Sequence, residues 1–410
     1  MISIAEARQH VLDHCRCLPS SPVALTEALD RVLAVDVVAD RDIPAMTKAL
    51  MDGFAVRVEA MDRFPEQLQV LGQVAAGQLP SHDVGVGQAV RIMTGAMMPR
   101  GANAVVPVEQ TSGVGWADES MVRVTIEATS VQAGQHTMKQ AAIAARGEVL
   151  VEAKTRLRPA AIAVLAEVGC AQPRVFARPR VAVIPTGDEV VAVDQSPPPG
   201  KLRNSNGPML LTQARQAGGE AAELGIGPDE RESLRAIISR GLQRDVLLLS
   251  GGVSAGALDL VPEVLSELGV APIFHQVNIR PGKPLWFGVR ETGDQRTLVF
   301  GLPGNPVSSF VCFDRFVRPA LRALSGETTT SDCPEQLELL NSAPSQVGGR
   351  DAFWPANRIV PDDGVPVVEI LDWRGSADLC TLSRANGLAF FPAGEPLREP
   401  GDRVEFYSML

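Results

Sequence analysis

Hydrophobic positions change period several times along this chain, and each change marks an element. Near the N-terminus Ile4, Ala7, Val11 and Leu12 fall on one helical face, and Ser3 and Glu6 stand at capping-box spacing, which predicts a first helix. In the centre, short apolar runs alternate with helical stretches. Residues 181–184 read as a buried strand running into Pro185-Thr-Gly-Asp-Glu189. A helix is predicted near 207–218, stopped by Gly218 and Gly219, and a short strand over 221–225. Asp229, with Glu232 three positions on, reads as the cap of a helix reaching about Arg240. Residues 246–249 form the next buried strand and open into Ser250-Gly-Gly-Val-Ser-Ala-Gly256, after which a helix covers about 259–268. Residues 297–300 open into Gly301-Leu-Pro-Gly-Asn-Pro306, ahead of a helix over 307–324. Strands alternating with helices imply right-handed crossovers and a doubly wound, mostly parallel sheet near 176–326.

The flanks follow other patterns. Residues 42–140 are rich in Val and Gly and carry short alternating runs such as 122–126, which predicts a β-rich unit. Residues 330–410 also read as short strands joined by turns, for example Pro400-Gly-Asp402 before 404–406. Between the β-rich unit and the centre, 155–169 is predicted to be helical, with Pro159 in a first turn and Gly169 as a stop. The run Ser196-Pro-Pro-Pro-Gly200 lies inside the α/β region and reads as a stiff surface loop.

Composition narrows the class. With 410 residues, 45% of them hydrophobic, the chain is long enough for two to four packed units. The net charge of -10 repels a phosphate backbone, so no nucleic-acid partner is expected. No apolar run reaches the length of a membrane span, and the N-terminus lacks the basic start and apolar centre of a signal peptide. The six cysteines, at 15, 17, 170, 312, 333 and 380, form no CxxC pair, which fits a reducing cytosol and not a disulfide framework.

Candidate chemistry concentrates at the carboxyl ends of the central strands, where ligands bind in open α/β sheets. Three loops meet this condition: 186–189, 250–256 and 302–309. Exposed backbone N–H groups at glycine-rich turns and helix starts suit phosphate or another oxyanion, and Ser254, Ser308 and Ser309 offer hydroxyl donors. Gly251 and Gly252 belong neither to a Walker loop nor to a dinucleotide fingerprint. Asp188, Glu189, Asp229 and Asp259 stand beside these loops, as Mg²⁺ held by one or two carboxylates and substrate phosphate requires. A helix cap accounts equally well for Asp229, and a first-turn acid for Asp259. Arg280-Pro-Gly-Lys-Pro284 holds two cations in a stiff turn, either a plain surface turn or an anion site. His10, His14 and Cys17 have a spacing that could serve zinc, without an evident fourth ligand. No Ser–His–Asp arrangement is visible.

Seven motifs then stand in a familiar order: Met51-Asp-Gly-Phe-Ala-Val56, Thr94-Gly95, Thr186-Gly-Asp-Glu189, Ser250-Gly-Gly-Val-Ser-Ala-Gly256, Arg280-Pro-Gly-Lys-Pro284, Gly301-Leu-Pro-Gly-Asn-Pro-Val-Ser308 and Ala385-Asn-Gly-Leu388. As an ordered set from about residue 3 to 408, they resemble the molybdopterin molybdenumtransferases, the family of the bacterial MoeA proteins and the gephyrin E domain. The resemblance implies a cytoplasmic, Mg²⁺-dependent homodimer that inserts molybdate into adenylylated molybdopterin and releases AMP. It implies four domains: a central α/β domain (1–19 and 176–326), a linking domain (20–41 and 141–175), a β-rich domain (42–140) and a C-terminal β domain (327–410). Asp52 and Thr94 would complete the partner's cleft, opposite Glu189, Asp229 and Asp259. Glu189 and Asp259 would hold the metal. Gly251, Gly252, Ser254, Gly256, Arg280, Lys283, Pro303, Gly304, Asn305, Pro306 and Ser308 would bind pterin phosphate or molybdate. Implied partners are a molybdopterin adenylyltransferase and maturation proteins of molybdoenzymes.

The chain departs from the family at three places. Thr47-Lys-Ala-Leu50 stands where Asp-Asn-Ser-Ala is usual. Met138, Ala141, Ala142 and Ile143 stand at the positions of Arg-x-x-Gly-Glu-Asp, and Asn204 replaces an Asp. Two other readings follow: a catalytically weak paralogue that binds molybdopterin or assists assembly, and an adenylyltransferase acting on the pterin itself.

Overall fold

A computed structural model describes all of the chain except residues 62, 113–121, 253–259, 329–332, 343–348, 396–397 and 410. The chain folds into two compact units, one of residues 1–34, 154–158 and 174–410, the other of 35–153 and 159–173.

The larger unit is built on a six-stranded sheet. From edge to edge it runs Glu220–Glu223, Arg180–Pro185, Val246–Ser250, Gln295–Leu302, Trp286–Thr292 and Ala271–His275. The first four strands are parallel. The last two, which the alternation did not predict, pair antiparallel. The apolar runs are continuous because both faces are covered. Val181, Val183, Val246, Leu248, Leu298 and Phe300 pack on one face against helices Ile4–Asp13, Asn206–Gln216 and the 306–324 segment. Ala182, Ile184, Leu247, Leu249 and Val299 point the other way, onto helices Arg231–Gly241 and Val261–Glu267.

Most elements fall where their patterns predict, and two boundaries differ because of partners distant in sequence. Helix Arg231–Gly241 is capped by Glu230 and not by Asp229: the Glu230 carboxylate accepts from the N–H groups of Glu232 and Ser233. The helix predicted from residue 155 begins at Pro159. Residues 155–157 are instead extended, hydrogen-bonded to the backbone of Asp30, Arg31 and Leu33. The capping box of Ser3 and Glu6 is present in both directions. The last predicted helix of the centre continues from Pro306 to Leu324 through a π turn at Phe313–Val317.

The C-terminal strands close on themselves. Asp351–Ile359, Val367–Ile370, Glu335–Leu339, Arg403–Ser408 and Gly387–Phe391 pair in that order, and the last pairs back with the first. Closure removes the exposed edges. Ile279–Arg280 adds alongside Asp351 and Ala352 in parallel.

The smaller unit is β-rich, as predicted. Its six-stranded sheet runs Ala104–Pro107, Gly53–Val56, Gln88–Ile92, Glu66–Val74, Arg123–Ile126 and Thr111–Ser112, with an apolar cluster on each face. Gly53 is needed for this pairing, because a Cβ there would lie 2.0 Å from the Val106 carbonyl oxygen. The two departing segments of this unit meet in one ribbon: Lys48–Ala49 pairs with Thr137–Met138, and the Gln140 N–H donates to the Thr47 hydroxyl. Among the described residues no helix is long and apolar enough to cross a membrane.

Phe300 is fully buried, its ring centroid 4.9 Å from that of Phe287. Phe300→Ala is therefore expected to cost about 3–5 kcal/mol, read as a lower denaturation midpoint. A loss below about 1 kcal/mol would contradict the packing described.

Candidate active site

Three parallel strands end at one level. Pro185 pairs with Ser250, and Ser250 with Leu302. The ladder then continues one step into the loops: the Thr186 N–H donates to Ser250 O at 2.9 Å, and the Gly251 N–H to Leu302 O at 3.1 Å. The loops therefore leave side by side, roughly 5 Å apart. The chain departs from strand Arg180–Pro185 by a helix on one face and returns to its other neighbour by a helix on the opposite face. That reversal of strand order opens a crevice at this edge.

Glycine permits the loops to touch. Gly251 has φ +104°, and a Cβ on it would stand 2.6 Å from the Thr186 carbonyl oxygen. A Cβ on Gly304 would stand 3.8 Å from the Gly251 Cα. Beneath them the Ser250 and Ser309 hydroxyls lie 3.3 Å apart, and Ser309 donates to the Pro303 carbonyl. The start of the following helix is held from the C-terminal barrel, where Ser376 O accepts from the Val307 N–H at 3.0 Å.

The first loop is pinned by a reciprocal pair. The Asp188 N–H donates to the Asp229 carboxylate at 3.2 Å, and the Asp229 N–H to the Asp188 carboxylate at 3.1 Å. With Glu230 serving as helix cap, Asp229 is free to hold this loop. The Lys201 ammonium donates to Asp188 O at 2.9 Å. Glu189 folds back over Gly187, and its carboxylate makes no hydrogen bond or ion pair to another described residue.

These loops border a cleft of about 330 Å³. Of the expected residues, Glu189, Gly304, Asn305 and Pro306 line it. Gly251, Gly252 and Pro303 stand against those that do: a Cβ on Gly252 would lie 3.3 Å from the Thr186 hydroxyl, and the Ser250 hydroxyl lies 3.4 Å from Pro303 O. Ser254, Gly256 and Asp259 lie outside the described residues. Arg280, Lys283 and Ser308 are not on the cleft wall. Arg280 lies over the Trp354 ring at 5.9 Å, Lys283 is exposed, and Ser308 is buried behind the third loop.

The wall includes residues the sequence did not point to. Arg203 and Asn206 come from the stretch that pairs Val190–Val191 with Leu202–Arg203, and Ala377 and Leu379 from the C-terminal barrel. The Ser205-Asn206 pair was visible beside the departing Asn204. Nothing in the sequence near 377 announces a partner seventy residues earlier.

In the smaller unit Asp52 and Thr94 meet. The Asp52 carboxylate accepts from the Thr94 N–H at 2.6 Å and from the Thr94 hydroxyl at 2.8 Å. The two residues flank paired strands, Asp52 just before Gly53–Val56 and Thr94 just after Gln88–Ile92. These bonds, the backbone one first, hold the Asp52 carboxyl below the ordinary carboxylate range. Their stabilising effect is present above that range and is lost as the pH falls through the lowered pKa. The zinc spacing comes to nothing among the described residues: no three His, Cys, Asp or Glu side chains gather to hold a metal ion. The His14 ring instead contacts His10 O, and the Cys17 thiol contacts Ala323 O.

A doubly wound sheet with a glycine-rich crevice, a closed C-terminal barrel and a β-rich unit make a multidomain α/β and β protein, and the comparisons place that architecture in one family. Residues 182–323 match the probable molybdopterin binding domain, residues 2–169 the MoeA N-terminal region (domains I and II), and residues 340–409 the MoeA C-terminal region (domain IV). The chain is 37% identical over 394 residues to the molybdopterin molybdenumtransferase of Bacillus subtilis, covering 93% of this chain and 88% of that one. It is 35% identical to the molybdopterin molybdenumtransferase of a Nostoc species over 93% and 87%. The crystal structure of the molybdopterin biosynthesis moeA protein of Pyrococcus horikoshii covers all of both chains, with a TM-score of 0.83 and 27% identity. The chain belongs to the MoeA family.

Two outcomes follow. Thr94→Val removes the hydroxyl donor but keeps the N–H, so the Asp52 carboxyl should titrate higher when followed by carbon NMR; an unchanged titration would contradict the geometry. Gly251→Ala should spread the first two loops and lower activity at least about tenfold, with the fold intact by circular dichroism. Wild-type activity would show that the close approach is not required.

Proposed function

We propose that the protein completes the molybdenum cofactor: it inserts molybdate into adenylylated molybdopterin, and AMP leaves. The observation that carries this reading is the meeting of Thr186, Gly251 and Gly304 at one crevice, with a Glu189 carboxylate on its wall that has no partner among the described residues. The relatives named as molybdopterin molybdenumtransferases favour it over a binding-only paralogue. The paired ribbon at 47–49 and 137–140 favours it too, since the two departures meet in an ordered element.

The substrates are anions, molybdate a tetrahedral dianion and the pterin nucleotide a phosphate ester. Backbone N–H groups of the glycine loops suit such oxyanions, and Arg203 adds a cation at the rim. Their role is to bring the dithiolene sulfurs and molybdate together in one orientation. The Asp188–Asp229 pair keeps the Glu189 loop from moving as substrate binds.

Mg²⁺ fits the donors present. Glu189 offers a carboxylate with no hydrogen-bond or ion-pair partner among the described residues, and Mg²⁺ is commonly held by one or two carboxylates with substrate phosphate oxygens. When bound, it would offset charge developing on the phosphoryl group. Asp259 would be the second carboxylate.

We further propose a homodimer in which Asp52 and Thr94 of the partner subunit complete the cleft. The preset, ionised Asp52 suits a cleft that also carries cationic and N–H donors. The six cysteines form no disulfide among the described residues, which suits a reducing cytosol.

The direct test is AMP release from adenylylated molybdopterin by purified protein, with Mg²⁺, with and without molybdate. Release that requires molybdate is expected, and Glu189→Gln should reduce it about a hundredfold or more at an unchanged melting temperature. Release without molybdate, or none, would overturn the reading. Mixing inactive Asp52→Asn and Glu189→Gln proteins should restore about a quarter of wild-type activity, through heterodimers holding one intact site. Additivity with no rescue would remove the shared cleft.

A further inference from the structure

We propose that Asn206 is a positioning residue: its side-chain amide ties the third loop to the end of strand Val246–Ser250 and so sets the backbone that lines the cleft. This rests on the transferase reading for its consequence in turnover, though not for its structural part.

Asn206 opens the eleven-residue helix Asn206–Gln216 and lines the cleft. Its Nδ2 donates twice, to the Ser250 hydroxyl at 2.8 Å and to the Gly304 carbonyl at 2.7 Å. One amide thus joins the end of strand Val246–Ser250, the third loop and the start of a helix. The orientation of the amide is fixed by chemistry. The Gly304 carbonyl can only accept, so it must face the nitrogen; turned over, Asn206 would set two acceptor oxygens against each other.

The other end of the amide gains nothing. Asn206 Oδ1 is buried and has no hydrogen-bond partner among the described residues. Leaving a buried acceptor unpaired is unfavourable, so the residue is not explained by its contribution to the fold as a whole. It is explained by the two bonds of its nitrogen. Serine would be too short to span both acceptors, and aspartate would present a negative oxygen to the Gly304 carbonyl.

The anchor itself is rigid. Two residues earlier, Asn204 is buried, accepts from the Gly207 N–H at 2.8 Å and donates to the Glu223 carboxylate at 2.7 Å. That fastens the helix start to the edge strand Glu220–Glu223. Asn206 then carries the fixed position across to Gly304. On the far side, the Ser250 and Ser309 hydroxyls and the Pro303 carbonyl continue the same network. A site held by side chains that are themselves pinned keeps its geometry during turnover.

Full-length wild type, Asn206→Ala, Asn206→Asp and Ser250→Ala supply the test, with two readouts. Hydrogen exchange reads the loop without any substrate. Asn206→Ala should speed exchange in peptides covering 302–309 while the strand peptide 180–185 keeps its protection. Steady-state AMP release reads the consequence: kcat should fall about 10- to 100-fold in Asn206→Ala, with KM changed less than about threefold, and Asn206→Asp should be worse. Adding Ser250→Ala to Asn206→Ala should cost little more, because both act on one network. Exchange at 302–309 unchanged in Asn206→Ala overturns the proposal, as does a kcat within twofold of wild type. Equal acceleration of exchange across the whole unit overturns it too, since that marks a general loss of stability. A wild-type protein that releases no AMP would sink the transferase reading alone and leave the exchange result to decide Asn206.

Discussion

Everything at the crevice follows from three strand ends lying in register. Pro185, Ser250 and Leu302 sit opposite one another, and the backbone hydrogen bonds of Thr186 and Gly251 extend the ladder one residue beyond the sheet. Because those bonds are inter-strand, the loops cannot separate without breaking the ladder that makes the core. The register is itself fixed by burial. A shift of one residue would exchange the side chains of Val183 and Ile184 between two packed faces.

That rigid edge is completed by short-range fits and by contributions from distant sequence. Gly251 has a positive φ and leaves no room for a Cβ against Thr186. Asp188 and Asp229 each give a backbone N–H to the other's carboxylate across forty-one residues of chain. The C-terminal barrel supplies Ser376 O to the helix after the third loop, and Ala377 and Leu379 to the wall. Behind the cleft, the buried Arg315 guanidinium stacks 4.2 Å over the Tyr407 ring and pairs with Asp314, joining the π turn to the barrel. The barrel is thus part of the site's support within the larger unit, as well as a separate closed sheet.

How much of this the sequence disclosed depends on distance along the chain. The capping box at Ser3, the strands at 181–184 and 246–249 and the helix after Pro306 rest on local patterns, and each stands where its pattern predicts. The cap of helix Arg231–Gly241 was misplaced by one residue, because Asp229 and Glu230 are both suitable acids and only the loop at Asp188 decides between them. The extended stretch at 155–157 was read as helix because its partners lie near residue 31. The Arg280 turn reads from sequence either as a plain surface turn or as an anion site, and the family resemblance implies the latter. Arg280 stacks on Trp354, whose position depends on barrel closure, a property of five strands that no single segment carries. Asn206 showed no pattern of its own, since its meaning lies in Ser250 and Gly304, forty-four and ninety-eight residues away.

The most direct measurement of the central claim is a crystal structure of the full-length protein soaked with tungstate, whose anomalous signal locates a tetrahedral dianion without ambiguity. The account predicts one strong site between the loops, within hydrogen-bonding reach of the backbone N–H groups of Gly252, Gly304 or Asn305. A strong site elsewhere, with this crevice empty at saturating tungstate, would contradict it.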